Sequence, residues 1–96
     1  MNEYVYKQIN EYKFNDQFTF DICKVVNDTR LTSMTRLYLI TVKYMLEGEN
    51  AGNISQQKIA IHLQYTKGTI GKLESYMCQE KIMHREGRCI ILDYFK

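Results

Sequence analysis

The sequence predicts a mainly helical α+β fold: a three-helix core closed by a small β-sheet, with an N-terminal extension in front of it. Three observations predict this. Residues 55–77, SQQKIAIHLQYTKGTIGKLESYM, hold two amphipathic segments with room between them for a tight turn and nothing more. Residues 81–94, KIMHREGRCIILDY, switch to an apolar, β-branched run interrupted by Glu86-Gly87-Arg88, a hairpin signal. Upstream, Thr32 or Ser33 precedes an apolar stretch that runs to about Glu47, with Gly48 placed to end it. At 96 residues the chain makes one domain with a small core, divided into an extension (1–30), a first core helix (31–48), a helix-turn-helix (55–81) and a hairpin (82–95).

Taken in order, the first thirty residues carry six of the twelve aromatics and are too apolar for a disordered tail. Val5, Ile9 and Tyr12 fit one face of a helix over residues 2–12, with a strand through Tyr4 and Tyr6 as the open alternative. Asn15-Asp16 reads as a turn, and Phe18, Phe20 and Ile22, alternating with polar neighbours, as a half-buried strand. The first core helix should turn Met34, Leu37, Tyr38, Thr41 and Met45 inward and end with Gly48 at the C′ position. Leu39, Ile40, Tyr44 and Leu46 add apolar surface on its other sides, and a helix apolar nearly all round must be covered on more than one. The cover is either the N-terminal segment or a second copy of the chain. Val5, Ile9, Tyr12, Leu39, Ile40 and Tyr44 are the candidate dimer surface. After the loop 49–53, Ile54 should lie in a short strand pairing with the hairpin.

Within the helix-turn-helix, Ser55 caps the first helix and Ile59, Ala60 and Leu63 form its apolar stripe. Thr66 caps the second, and Tyr65 should plug the corner between them. With Ile70 at the centre of the buried face, the 100° step per residue brings Leu73, Glu74 and Met77 beside it. Gly68, Lys72, Ser75 and Gln79 face outward, a small, polar and basic row that could lie in a nucleic-acid groove.

A helix-turn-helix running straight into a hairpin resembles the winged helix. Thr69-Ile70, Leu73, Met77, Lys81-Ile82-Met83 and Gly87 carry the resemblance in their spacing. Asp28, Leu31, Thr32 and Leu37-Tyr38 also resemble the start of the winged-helix domain of plasmid and phage replication initiators, so the likeness covers about residues 18–92. The resemblance implies double-stranded DNA as partner. It places Thr66, Lys67, Gly68, Thr69 and Lys72 at the groove, Arg85 and Arg88 of the wing on the flanking backbone, and Ser55, Gln56 and Gln57 near phosphate. Many members carry arginines early in the recognition helix; Lys67, Gly68 and Lys72 stand there in this chain, which argues against bidentate guanine readout. The family implies a homodimer on a bacterial, phage or plasmid replicon, as transcriptional regulator or as centromere-binding adaptor on repeat arrays, with a partner protein from the same operon. A replication-initiator module and a protein-binding inhibitor or antirepressor, using Tyr76 and the aromatic N-terminus, are the alternatives.

Bulk charge says little, with 13 basic against 11 acidic residues, but residues 55–96 hold seven basic and four acidic groups. Cys23, Cys78 and Cys89 are an odd set without paired spacing, as suits buried thiols in a reducing compartment; Cys78, His84 and Cys89 match no structural zinc pattern. Both histidines read as surface residues. No Gly-rich phosphate loop and no nucleophile with a fixed relation to a histidine is present, so neither an enzyme nor a cofactor is expected. Leu37–Leu46 is too short to span a bilayer and the N-terminus lacks a signal-peptide pattern, which together imply a cytoplasmic, nucleoid- or plasmid-associated protein with no membrane partner.

Overall fold

The computed structural model describes residues 15–96. It is mostly helical, with helices α1 (Asp16–Asn27), α2 (Ser33–Met45), α3 (Gln56–Leu63) and α4 (Lys67–Gln79). Three short strands, β1 (Ala51–Asn53), β2 (His84–Glu86) and β3 (Cys89–Ile91), form one antiparallel sheet in the order β1-β3-β2, and a 3-10 turn (Asp93–Phe95) closes the chain. The helix expected over residues 2–12, with Val5, Ile9 and Tyr12, lies outside the described residues.

Four N-caps set where the helices begin. The side chains of Asn15, Thr32, Ser55 and Thr66 accept from the backbone N–H groups of Phe18, Thr35, Lys58 and Thr69, each satisfying a donor that the first turn leaves free. The last three were legible as caps. Asn15 was not, and its capping corrects the strand expected over residues 17–22: this segment is the start of α1. The alternation of Phe18, Phe20 and Ile22 gives way to the helical set Asp21 and Val25, which is buried, while Phe20 stays 66% exposed.

Helices α2, α3 and α4 end alike. Glu47, Gln64 and Lys81 adopt left-handed backbone, with φ of 55°, 59° and 60°. The next amide reaches back to a carbonyl five residues earlier: Gly48 to Lys43 at 3.0 Å, Tyr65 to Ala60 at 3.0 Å and Ile82 to Met77 at 2.9 Å. Gly48 therefore lies one place beyond the expected C′ position, which Glu47 occupies.

The core is built from Val25, Tyr38, Leu39, Val42, Ile54, Ile59, Ala60, Ile70, Leu73, Met77, Met83, Ile90 and Leu92. On α4 the expected inward set, Ile70, Leu73, Glu74 and Met77, is the buried set. On α2 the stripe is rotated: Thr35, Tyr38, Leu39, Val42 and Lys43 are buried, whereas Met34 and Leu37 are exposed. The cause is α1, which packs along the Leu39/Lys43 side of α2 and places Asp21 Oδ2 3.1 Å from the Lys43 ammonium. Lys43 also donates to Asn50 Oδ1 and sits 4.5 Å from the centroid of the Phe95 ring. Leu39 is thus a core residue and not part of a dimer surface. Ile40 is half-buried against the same core, and Tyr44 is exposed.

The sheet holds the hairpin to the helices. Strand β3 is central, pairing Asn53 with Cys89 on one side and Glu86 with Cys89 on the other. Gly87, at φ 63°, opens the two-residue Gly87-Arg88 turn between β2 and β3, a place for a residue without Cβ. Ile54 is buried just beyond the end of β1, so the expected strand is present one residue earlier. The 3-10 turn is tied back to the α1–α2 loop through Tyr94, whose hydroxyl donates to Asp28 Oδ2 at 2.8 Å. Arg30 grips the same carboxylate; with Tyr94 it holds the Asp28 pKa well below the usual range, while burial and the Asp28 charge push the Tyr94 phenol up to about 12.

Candidate nucleic-acid interface

Six of the ten expected contact residues line one open cleft of about 550 Å³: Ser55, Gln56 and Gln57 from the start of α3, Lys67 from the start of α4, and Arg85 and Arg88 from the hairpin. Asn53, Ile54 and Gly87 complete the lining. The fold brings these parts together because α3 and α4 are joined by only Gln64, Tyr65 and Thr66, and because β1 leads directly into α3 while pairing with the hairpin. Thr66, Gly68, Thr69 and Lys72 continue from the cleft along α4; Gly68 and Lys72 are exposed and Thr69 is half-buried.

Several of these groups already have structural work. Ser55 Oγ accepts from the Lys58 amide at 3.1 Å. Thr66 accepts from the Thr69 amide at 3.1 Å, and the two threonine hydroxyls lie 2.9 Å apart, so the start of α4 is capped. Gln56 turns its amide inward to Glu74 at 3.1 Å. Tyr65, expected to plug the corner between α3 and α4, is 36% exposed there, and its amide donates to the Ala60 carbonyl at 3.0 Å.

Glu74 is the polar centre beneath the cleft. Its carboxylate, on the inward face of α4, accepts from Tyr38 Oη at 2.8 Å, Gln56 Nε2 at 3.1 Å, Arg85 Nε at 2.6 Å and Arg85 Nη2 at 2.9 Å. Burial works against its charge, but the hydrogen bonds from Arg85, Gln56 and Tyr38 outweigh it and hold the pKa below the ordinary value. The Tyr38 phenol is pushed up by burial and by the Glu74 charge. Arg85, expected to reach the DNA backbone, therefore has its guanidinium directed inward. The position of Glu74 on the buried face was readable from helical spacing; its partners were not, since they come from three other elements.

Electrostatics favour anions at the rim. The side chains of Lys67, Lys72 and Arg88 make no ion pair among the described residues, and the positive ends of α3 and α4 open on the same side. His84, the first residue of β2, keeps 37% of its side chain accessible but is engaged: Nδ1 is 2.6 Å from Asp93 Oδ2, and that hydrogen bond raises its pKa. Cys23 and Cys78 are exposed and Cys89 is half-buried, all three free, which corrects the expectation of buried thiols. Among the described residues no group of His, Cys, Asp or Glu could hold a metal ion, and no helix is long and apolar enough to cross a membrane.

Comparison with protein-family models, with curated proteins and with solved structures finds no match to this chain.

Proposed function

We propose that this chain is a double-stranded DNA-binding protein of winged-helix type. The observation that carries the reading is the convergence of three separate elements, the starts of α3 and α4 and the β2–β3 turn, on one cleft rimmed by Lys67 and Arg88. In this reading α4 lies against a groove, with Gly68, Lys72 and Ser75 outward, and the backbone amides at its start meet phosphate. Arg88, at the tip of the wing, reaches the flanking backbone. The outward face of α4 carries no arginine, so base readout is modest and affinity comes mainly from phosphate contacts. Two copies acting together on neighbouring sites would multiply that modest affinity, which suits a regulator at a paired operator or a centromere-binding adaptor on repeats, on a bacterial, phage or plasmid replicon.

A second reading, as a protein-binding module, is favoured by a cavity of about 270 Å³ at the other end of α4. It is lined by Tyr76, Lys81, Ile82 and Tyr94 together with Asp28 and Arg30. One experiment separates the two: incubate the purified protein with sheared replicon DNA at moderate salt, recover and sequence the bound fragments. A dense cluster of short repeats supports segregation or replication, and one site overlapping a promoter supports transcriptional regulation. No enrichment by a folded protein refutes the DNA reading and turns attention to the Tyr76 cavity.

A further inference from the structure

Arg85 stands on the strand that leads into the exposed turn, yet only 20% of its side chain is accessible. Besides its two bonds to Glu74, Nη1 donates to the Ile54 carbonyl at 2.8 Å and reaches the Arg88 carbonyl at 3.4 Å. One guanidinium thus joins β2, the turn beyond it, α4 and the junction between β1 and α3. Strand β2 is only three residues long and pairs with β3 alone, so backbone hydrogen bonds by themselves hold the hairpin loosely.

We propose that Arg85 is a positioning residue of the nucleic-acid site and not a contact to it: by gripping Glu74 and the Ile54 carbonyl it fixes the Gly87-Arg88 turn over the starts of α3 and α4, and so sets where Arg88 stands relative to Lys67. The consequence for DNA rests on the reading above; the geometry does not. A phosphate contact requires only positive charge, which lysine supplies. A grip on both carboxylate oxygens requires the planar fork, which lysine lacks. Glu74 offers an independent handle because it is buried beneath the cleft and cannot itself touch DNA.

The test uses Arg85→Lys and Glu74→Gln in the full chain, with two readouts. In the free protein, the amide resonances of Gly87 and Arg88 and hydrogen exchange at Ile90 report the hairpin's placement. On a duplex recovered by the sequencing experiment, or on sheared DNA, titration reports affinity. Both variants should displace the Gly87 and Arg88 resonances, speed exchange at Ile90 and weaken DNA binding by about tenfold, and the double variant should be no weaker than either single one, as for residues acting as a unit. Tyr38→Phe, which keeps the fork, should leave the hairpin resonances in place. Should Glu74→Gln fail to fold, Arg85→Lys carries the same readouts alone.

Wild-type affinity in Arg85→Lys, or tighter binding in Glu74→Gln because a freed Arg85 reaches phosphate, would make Arg85 a contact and overturn the proposal. Unmoved hairpin resonances in both variants would overturn it as well. If the wild-type protein binds no DNA while the resonances shift as expected, the nucleic-acid reading fails and the positioning of the hairpin stands.

Discussion

Helix α4 carries two glycines in its first half, and the fold does not account for either. A Cβ built at Gly68 would have Thr66 Oγ1 at 3.9 Å as its nearest neighbour, and one at Gly71 would meet the Gln56 amide at 3.8–3.9 Å, ordinary contact distances. Neither residue has a positive φ, so neither needs a glycine backbone. In a helix interior glycine is less favourable than alanine by about 0.8–1 kcal/mol, and Gly71 should gain that whole amount on substitution. Gly68 lies one residue inside the helix start, where the effect is smaller, so about 0.5 kcal/mol is expected there. Gly68→Ala with Gly71→Ala should then stabilise the fold by about 1.5 kcal/mol, which for a domain of this size raises Tm by roughly 6–12 °C.

The same substitutions probe function in the opposite direction. Gly68 is exposed on the outward face, so a methyl there stands between α4 and anything seated against it. If the α4 backbone approaches DNA closely, Gly68→Ala should weaken binding by about tenfold, roughly 1.4 kcal/mol, while raising Tm. Thermal unfolding by circular dichroism and DNA titration by fluorescence anisotropy measure the two effects separately. Lower thermal stability in the double variant would refute the structural argument. Higher stability with unchanged affinity would remove close backbone approach at Gly68 as the reason for a glycine there.

Three further outcomes follow from the charges. Lys67→Ala with Lys72→Ala should reduce the slope of log K against log salt by about 1.8, two phosphate contacts at about 0.9 each; an unchanged slope would put the contact surface elsewhere. Lys43→Met leaves Asp21 buried without its cation and should cost about 3 kcal/mol in urea unfolding, most of it restored by adding Asp21→Leu; a single variant as stable as wild type would refute the pairing. His84 has a folded-state pKa raised by Asp93, so its contribution to stability is full below the unfolded value of about 6.5 and is lost as pH rises through the folded value. An NMR titration of His84 should shift to lower pH in Asp93→Asn, and an unshifted midpoint would show that the contact does not tune it.

What was legible in the sequence is what neighbours along the chain decide. Capping at Thr32, Ser55 and Thr66, the inward face of α4 and the Gly87 turn all depend on spacing within one element, and spacing is visible. What was misread depends on partners far away in the chain. The rotation of α2 follows from Lys43, a residue that composition assigns to the surface and that Asp21 of α1 draws inward. The strand expected at residues 17–22 failed because three alternating apolar residues fit a pleat as well as a helix, and only the Asn15 cap with the Asp21/Val25 contact to α2 decides between them. At the candidate site, the starts of α3 and α4 and the hairpin do line one cleft, but Arg85 looked like a wing cation because nothing local shows that Glu74 lies beneath it.

The buried and half-buried charges share an arrangement that bears on how the site is specified. Asp21–Lys43 attaches α1 to α2, Asp28 with Tyr94 attaches the C-terminal turn to the α1–α2 loop, and Glu74–Arg85 attaches the hairpin to α4. Each attaches a peripheral element to the rest of the fold, and the attached turn and strand are three residues long, too short to settle their own placement by apolar burial. Such a pair adds little net stability over an apolar replacement, but a misplaced element leaves a charge unpaired in a dry site, which costs several kcal/mol. On this argument the pairs decide where elements sit more than whether the chain folds. Glu74→Leu with Arg85→Met, combined with Tyr38→Phe so that no buried hydroxyl is left without its acceptor, should therefore unfold within about 1 kcal/mol of wild type, yet show broadened Gly87 and Arg88 amide signals and weakened DNA binding. Equal stability with sharp, unmoved signals would show that the apolar contacts of Met83 and Ile90 are enough to place the hairpin.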